Sequence, residues 1–174
     1  PVQIGALTTW ASAGASSQSS YAIKTDGTLW SWGNNVNGQL GLGNRTNYSS
    51  PKQIGALTTW LNFAGTYGGV IAVKTDNTLW SWGQNGNGQL GIGNTTNSSP
   101  KQVGSLTNWL SVAAGYYFAL ATKTDGTLWS WGVNSTGQLG LGNTTQYSSP
   151  KQVGSAVNWV AVAAQGATSF GTNW

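Results

Sequence analysis

The chain of 174 residues has no cysteine, methionine, histidine or glutamate, and its acids are three aspartates, Asp26, Asp76 and Asp125. Without cysteine there is no disulfide framework, no thiolate nucleophile and no cysteine-based zinc site. Without histidine a serine–histidine triad is excluded, and without glutamate there is no glutamate acid/base pair. Asp26, Asp76 and Asp125 stand about fifty residues apart at equivalent positions of a repeat, which does not suit the paired carboxylates of glycosidases. No apolar run approaches the roughly 18 residues that span a bilayer, and no signal-like segment is present, so no membrane insertion is expected. Charge is scarce: seven basic residues give a net +4. Six of the seven form two spaced rows, Lys24, Lys74 and Lys123, then Lys52, Lys101 and Lys151, which read as solvated strand ends and edges that discourage aggregation. So thin a spread does not suit nucleic acid, whose binding requires many phosphate contacts.

What is present is tryptophan, glycine and repetition. Eleven Trp, six Tyr and three Phe argue against disorder despite the low charge. The pentapeptide LWSWG recurs at 29–33, 79–83 and 128–132, and Trp10, Trp60, Trp109 and Trp159 are spaced by 50, 49 and 50, as are Pro1, Pro51, Pro100 and Pro150. A period of this size marks stacked units that cannot bury an apolar face alone. The chain therefore reads as one repeat domain, 1–174, with repeats of approximately 1–50, 51–99 and 100–149 and a partial fourth at 150–174. Its start at a repeat boundary without methionine suggests a processed chain or an excerpt of a longer one.

Within a repeat, two β-type runs flank a tight turn: Asp26-Gly27, Asp76-Asn77 and Asp125-Gly126. Glycine and asparagine are the residues that tolerate positive φ there. Period 2 places Trp30 with Trp32, Trp80 with Trp82, and Trp129 with Trp131 on one strand face as a structural core. Burying such an indole contributes on the order of 4–6 kcal/mol before entropy. A Gly/Asn loop and GQLG follow, then a polar tract ending in Ser-Ser-Pro, a short strand after the proline, and another strand near the next Trp60, Trp109 or Trp159. Four short strands per roughly fifty residues form the pattern of a β-propeller blade, with a β-helix as the competing solenoid.

The segment KTDGTLWSWGNNVNGQLGLGN at 24–44 resembles the repeat of the regulator of chromosome condensation (RCC1-like) family, through its DG turn, WG strand, GQLG loop and following proline. The resemblance implies an all-β fold of four-stranded blades, usually seven in a ring, of which this chain holds about three and a half. The ring is then partial, or completed by missing chain, by another copy or by stacking into an assembly. Family members range from nucleotide-exchange factors that bind chromatin to secreted enzyme inhibitors. The histidine common before the hairpin is absent here, as are the exchange factors' distinctive charged loops, so neither exchange activity nor nucleosome binding is carried over to any residue.

The loop GQLGLGN lacks the order and the following helix of a phosphate loop and reads as corner geometry. No acid-rich calcium loop is present, and no cofactor is expected. Asn-x-Ser/Thr triplets at Asn44, Asn47, Asn94, Asn97, Asn134 and Asn143 read as Asn-rich loops. Tyr48, Tyr147, Tyr67, Tyr116 and Tyr117 are candidate binding aromatics. These features lead to the expectation of a non-enzymatic protein-interaction scaffold, self-associating or within a larger assembly, located on a virion, filament or cell surface. A glycan-binding adhesin and a regulatory propeller binding an enzyme or GTPase are the alternatives.

Overall fold

A computed structural model describes residues 3, 4, 9–93 and 96–173, whose regular structure is fourteen strands. The first blade runs β1 (Trp10–Ala15), β2 (Ser19–Lys24), β3 (Leu29–Gly33) and β4 (Tyr48–Gln53). The second runs β5 (Trp60–Gly65), β6 (Gly69–Lys74), β7 (Leu79–Gly83) and β8 (Asn97–Gln102), and the third β9 (Trp109–Ala114), β10 (Phe118–Lys123), β11 (Leu128–Gly132) and β12 (Tyr147–Gln152). A fourth unit has two strands, β13 (Trp159–Gln165) and β14 (Thr168–Asn173). Each sheet is an antiparallel meander in chain order. The innermost strands β1, β5, β9 and β13 contact one another in succession, which places them along the axis of an open, partial propeller.

The second strands β2, β6 and β10 are buried on both faces, so they read as apolar runs rather than as clean alternation. In β6, Val70 and Ala72 enter the core against the first blade, with Tyr21, Ile23, Leu29 and Ile54, while Ile71 and Val73 enter the core against the third, with Trp109, Ala119 and Ala121. The cores therefore lie between blades, and a blade's stability depends on its neighbours.

Antiparallel connectivity puts the β1–β2 turns and the β3–β4 loops on one face, the upper, and the β2–β3 turns on the other. Upper connections are tied by Asn34 N–H to Gln18 O at 2.9 Å, and a lower turn is tied to the next blade by Trp60 N–H to Gly27 O at 3.1 Å. The outermost strand begins earlier than expected: β4 includes Ser49, Ser50 and Pro51 rather than starting at the proline. Its pairing with β3 shifts between Ser31 and Gly33, so Pro51 sits in a bulge on an edge strand, where its missing N–H takes no bond from the ladder.

Candidate functional site

On the upper face the inner turns of all four blades converge around a cavity of about 260 Å³, bordered by Ser16, Thr66, Tyr67, Gly115, Tyr116 and Gly166. The turns are bonded to each other from blade to blade, Tyr67 N–H to Tyr116 O at 2.8 Å and Tyr116 N–H to Gly166 O at 2.7 Å. Three rings gather at this mouth. Tyr67 lies 6.3 Å from Tyr116 and 5.4 Å from Tyr117, and Tyr116 lies 6.5 Å from Tyr117. Tyr67 is 45% and Tyr116 57% exposed, unusual for large aromatics, while Tyr117 is half-buried beneath them. Beside them the Thr66 hydroxyl is buried with no hydrogen-bond partner.

The other two candidate tyrosines do not join this cluster. Tyr48 and Tyr147 stand at the starts of the outermost strands β4 and β12, half-buried, with Lys52 Nζ 5.5 Å and Lys151 Nζ 5.4 Å from their rings. Tyr147 packs against the core between the third and fourth units.

The tryptophan pairs face the preceding blade. Trp82 and Trp131 are fully buried, and each indole N–H donates across to that blade, to Gln39 O and to Gln89 O, both at 2.9 Å. The last glycine of the first two GQLG segments makes room for this: a Cβ on Gly41 would meet Trp82 Nε1 at 2.7 Å, and one on Gly91 would meet Trp131 Nε1 at 2.9 Å. Trp32, with no earlier blade among the described residues, is half-buried. Trp30, Trp80 and Trp129 are also half-buried, and their indoles donate to Thr28, Thr78 and Thr127 Oγ1 at 2.9, 2.7 and 2.9 Å.

Those threonines complete the turns. Each Oγ1 donates to the Asp two residues earlier, at 2.6 Å to Asp26, Asp76 and Asp125 alike, and each backbone N–H donates to the same oxygen. The hydrogen bonds hold all three carboxyls below the ordinary aspartate range. Asp26-Gly27 and Asp125-Gly126 turn at φ 77°, and Asn77 takes the same place at φ 61°.

The reading of Lys24, Lys74 and Lys123 as solvated strand ends is corrected. Their relative exposures are 8, 6 and 5%, and each ammonium lies flat on an indole, 3.8 Å from Trp30, 3.5 Å from Trp80 and 3.8 Å from Trp129. Trp10, Trp60 and Trp109 flank the same ammonium groups at 5.1, 5.0 and 4.8 Å. Burial lowers the Lys74 and Lys123 ammonium below the usual lysine range. The signal was present: each Lys sits one strand away from a Trp pair, and a lysine stem covers aromatic surface well. Lys101 and Lys151, by contrast, are exposed on edge strands.

Among the triplets, Asn134 is fully buried and bonded to the loop backbone, which removes it as a modification acceptor. Asn94 lies outside the described residues. Among the described residues no group of three or more His, Cys, Asp or Glu side chains gathers to hold a metal.

The profile of the "Regulator of chromosome condensation (RCC1) repeat" matches residues 26–72, 76–122 and 125–170, and a second profile of that repeat matches 10–39 and 109–138. A search of curated proteins finds no match. Among solved structures, Saccharomyces cerevisiae Prp20p, described with its binding to Gsp1p and histones, is similar at TM-score 0.84 and 21% identity over 97% of this chain. Yeast RCC1 (Prp20) bound to Kap60 is similar at TM-score 0.83 and 21% identity over 97% of this chain, and human WBSCR16 at TM-score 0.82 and 19% identity over 94%. The chain spans 45, 43 and 45% of those three proteins respectively, less than half of each. The exterior location expected from composition is corrected: Prp20p, among these similar structures, is described with Gsp1p and histones, which points away from a virion or cell surface.

Proposed function

Since the chain belongs to the regulator of chromosome condensation (RCC1) repeat family, we propose that it is a regulatory propeller segment acting by binding a folded protein partner on its upper face. Protein binding is the property that the similar structures have in common with this reading: Prp20p is described with Gsp1p and histones, and yeast RCC1 with Kap60. The observation that carries it is the pair Tyr67 and Tyr116, exposed at the mouth where the four units converge and packed on the half-buried Tyr117. Tyrosines offer large contact area at low conformational cost and are enriched at the centres of protein interfaces. The regulatory reading replaces the structural, surface-decorating role, and it assigns binding rather than turnover, with no exchange activity attached to a residue.

The test is cross-linked capture from a native extract with the wild-type chain and a Tyr67→Ala/Tyr116→Ala variant, followed by binding measurements on the recovered protein. A stoichiometric partner held by the wild type and weakened at least about tenfold by the double variant, a loss ordinary for an aromatic hot spot, supports the reading. A partner held equally by both removes the tyrosine face from the reading, and recovery of none overturns it.

A further inference from the structure

The first two blades each hold an indole of the following blade in a socket made by GQLG: Trp82 lies at Gly41 and donates to Gln39 O, and Trp131 lies at Gly91 and donates to Gln89 O. Gln138 and Gly140 are the corresponding pair of the third blade, and Gly140 keeps the left-handed turn, at φ 68° against 70° and 72° for Gly41 and Gly91. Among the described residues no indole reaches this pair. A Cβ on Gly140 would meet only Val153 Cγ1, at 3.4 Å, and Gly140 is exposed where Gly41 and Gly91 are buried. The Gln138 carbonyl accepts the Ser169 hydroxyl at 2.8 Å. Its counterpart Gln39 O accepts two donors, Tyr21 and Trp82, so a second place on Gln138 O is open.

The backbone beside the socket is open as well. Strands β2, β6 and β10 each lie between two partners, whereas β14 pairs with β13 alone among the described residues. In the third blade Lys123 N–H donates to Thr127 O, so by antiparallel alternation Ala121 and Ala119 turn their backbone groups toward β11, opposite Trp129 and Trp131. Lys123 stands opposite Trp109 as Asn173 stands opposite Trp159, which makes Gly171 and Ser169 the counterparts of Ala121 and Ala119. Their N–H and C=O groups form an edge ready for one more strand. In that register the second tryptophan of a Trp-x-Trp strand falls opposite Ser169, the residue already bonded to Gln138 O.

We propose that the β14 edge accepts an extended Trp-x-Trp segment of a partner polypeptide by strand addition, with the second indole over Gly140 and donating to the Gln138 carbonyl. The chain's own two filled sockets select this occupant, since they hold that side chain on that acceptor in that register. The added strand continues the inter-blade contact that Trp82 and Trp131 already make. The proposal is independent of whatever binds at the tyrosine mouth.

The probe is a fluorescein-labelled peptide carrying Leu-Trp-Ser-Trp-Gly between polar flanks, titrated by anisotropy against the whole chain. Replacing its second Trp by Ala is expected to weaken binding about tenfold or more, the loss of an aromatic anchor. Methylating the backbone nitrogens of both Trp, which keeps the indoles and removes the ladder donors, is expected to abolish binding. On the chain, Gly140→Ala puts a methyl into the socket and should weaken binding about tenfold, while Gly142→Ala, with the same left-handed backbone at φ 70° and nothing near its Cβ among the described residues, should leave it intact. Near-ultraviolet circular dichroism checks that Gly140→Ala keeps its packing; if it does not, the peptide series on the wild type decides alone. Hydrogen exchange places the peptide, since the amides of Ser169 and Gly171 should gain protection when it binds. No binding at millimolar concentration, equal binding of the Ala peptide, unchanged binding by folded Gly140→Ala, or protection that misses Ser169 and Gly171 overturns the proposal. Binding that persists in Tyr67→Ala/Tyr116→Ala separates this edge from the proposed partner face, and binding lost in that variant assigns the peptide to the mouth and overturns the edge.

Discussion

The backbone carbonyl of Gln39 accepts the indole N–H of Trp82 at 2.9 Å, joining the loop of one blade to the strand of the next across 43 residues of sequence. The Tyr21 hydroxyl donates to the same carbonyl at 3.1 Å. In the next pair of blades Trp131 makes the equivalent bond to Gln89, but Ile71 stands where Tyr21 does and offers no second donor.

Trp131→Phe is therefore expected to cost more stability than Trp82→Phe. Losing the N–H leaves the Gln89 carbonyl buried without this donor, at about 1–3 kcal/mol, whereas Gln39 keeps Tyr21 and the loss falls toward about 1 kcal/mol. Urea denaturation of the two variants reads the difference, and equal midpoints would show that the shared acceptor gives no protection.

The lower turns give a second contrast. Gly126→Ala should destabilise by at least about 1–2 kcal/mol, the cost of a left-handed residue with a Cβ. A further contact adds to it, since that Cβ would lie 2.0 Å from Val157 O. Asn77→Gly, at a turn that already accommodates a side chain at φ 61°, should stay within about 1 kcal/mol of the wild type. Thermal melting of both variants checks the pair.

Much of this architecture was legible from the repeat alone, because blades are built from strand-length motifs whose turns demand particular residues. Asp26-Gly27 and Asp76-Asn77 gave the hairpins, and the LWSWG spacing gave the shared face of Trp80 and Trp82. Two things were not legible. The lysines looked solvated because a charge is ordinarily outside, and only the fold brings Trp80 and Trp60 around Lys74. Among the five candidate tyrosines, spacing could not separate Tyr67, Tyr116 and Tyr117, which meet across two blades, from Tyr48 and Tyr147, which sit on outer strands. Which turns converge is a property of ring geometry, not of any one repeat.

Acid should weaken the fold through the turns. The folded-state values of Asp26, Asp76 and Asp125 are depressed by the threonine bonds, so their contribution is fully present above the unfolded aspartate value of about 3.9 and is lost as pH falls through the lower folded values. Thr78→Val removes the hydroxyl bond to Asp76 and should flatten the fall of the melting temperature between about pH 4 and pH 2. An unchanged slope would mean that the backbone N–H bond alone sets the shift.

The long upper loops depend on one amide in each blade. In the third, Asn134 Nδ2 donates to Asn143 O at 2.8 Å and Thr145 O at 3.0 Å, while its Oδ1 accepts Leu139 N–H at 3.0 Å. Asn35 makes the same set in the first blade, to Asn44 O, Thr46 O and from Leu40 N–H. Asn134 is fully buried, so Asn134→Leu fills a similar volume yet strands three backbone groups, an expected loss of about 2–5 kcal/mol. The exposed Asn143→Ala, which keeps the Asn143 carbonyl, should cost under about 1 kcal/mol. Hydrogen exchange distinguishes a local effect from a global one: the amide of Leu139 should lose protection in Asn134→Leu before the amides of β10 do. If both exchange together, the loop and the blade unfold as one unit, and the amide acts on the whole inter-blade core rather than on the loop it holds.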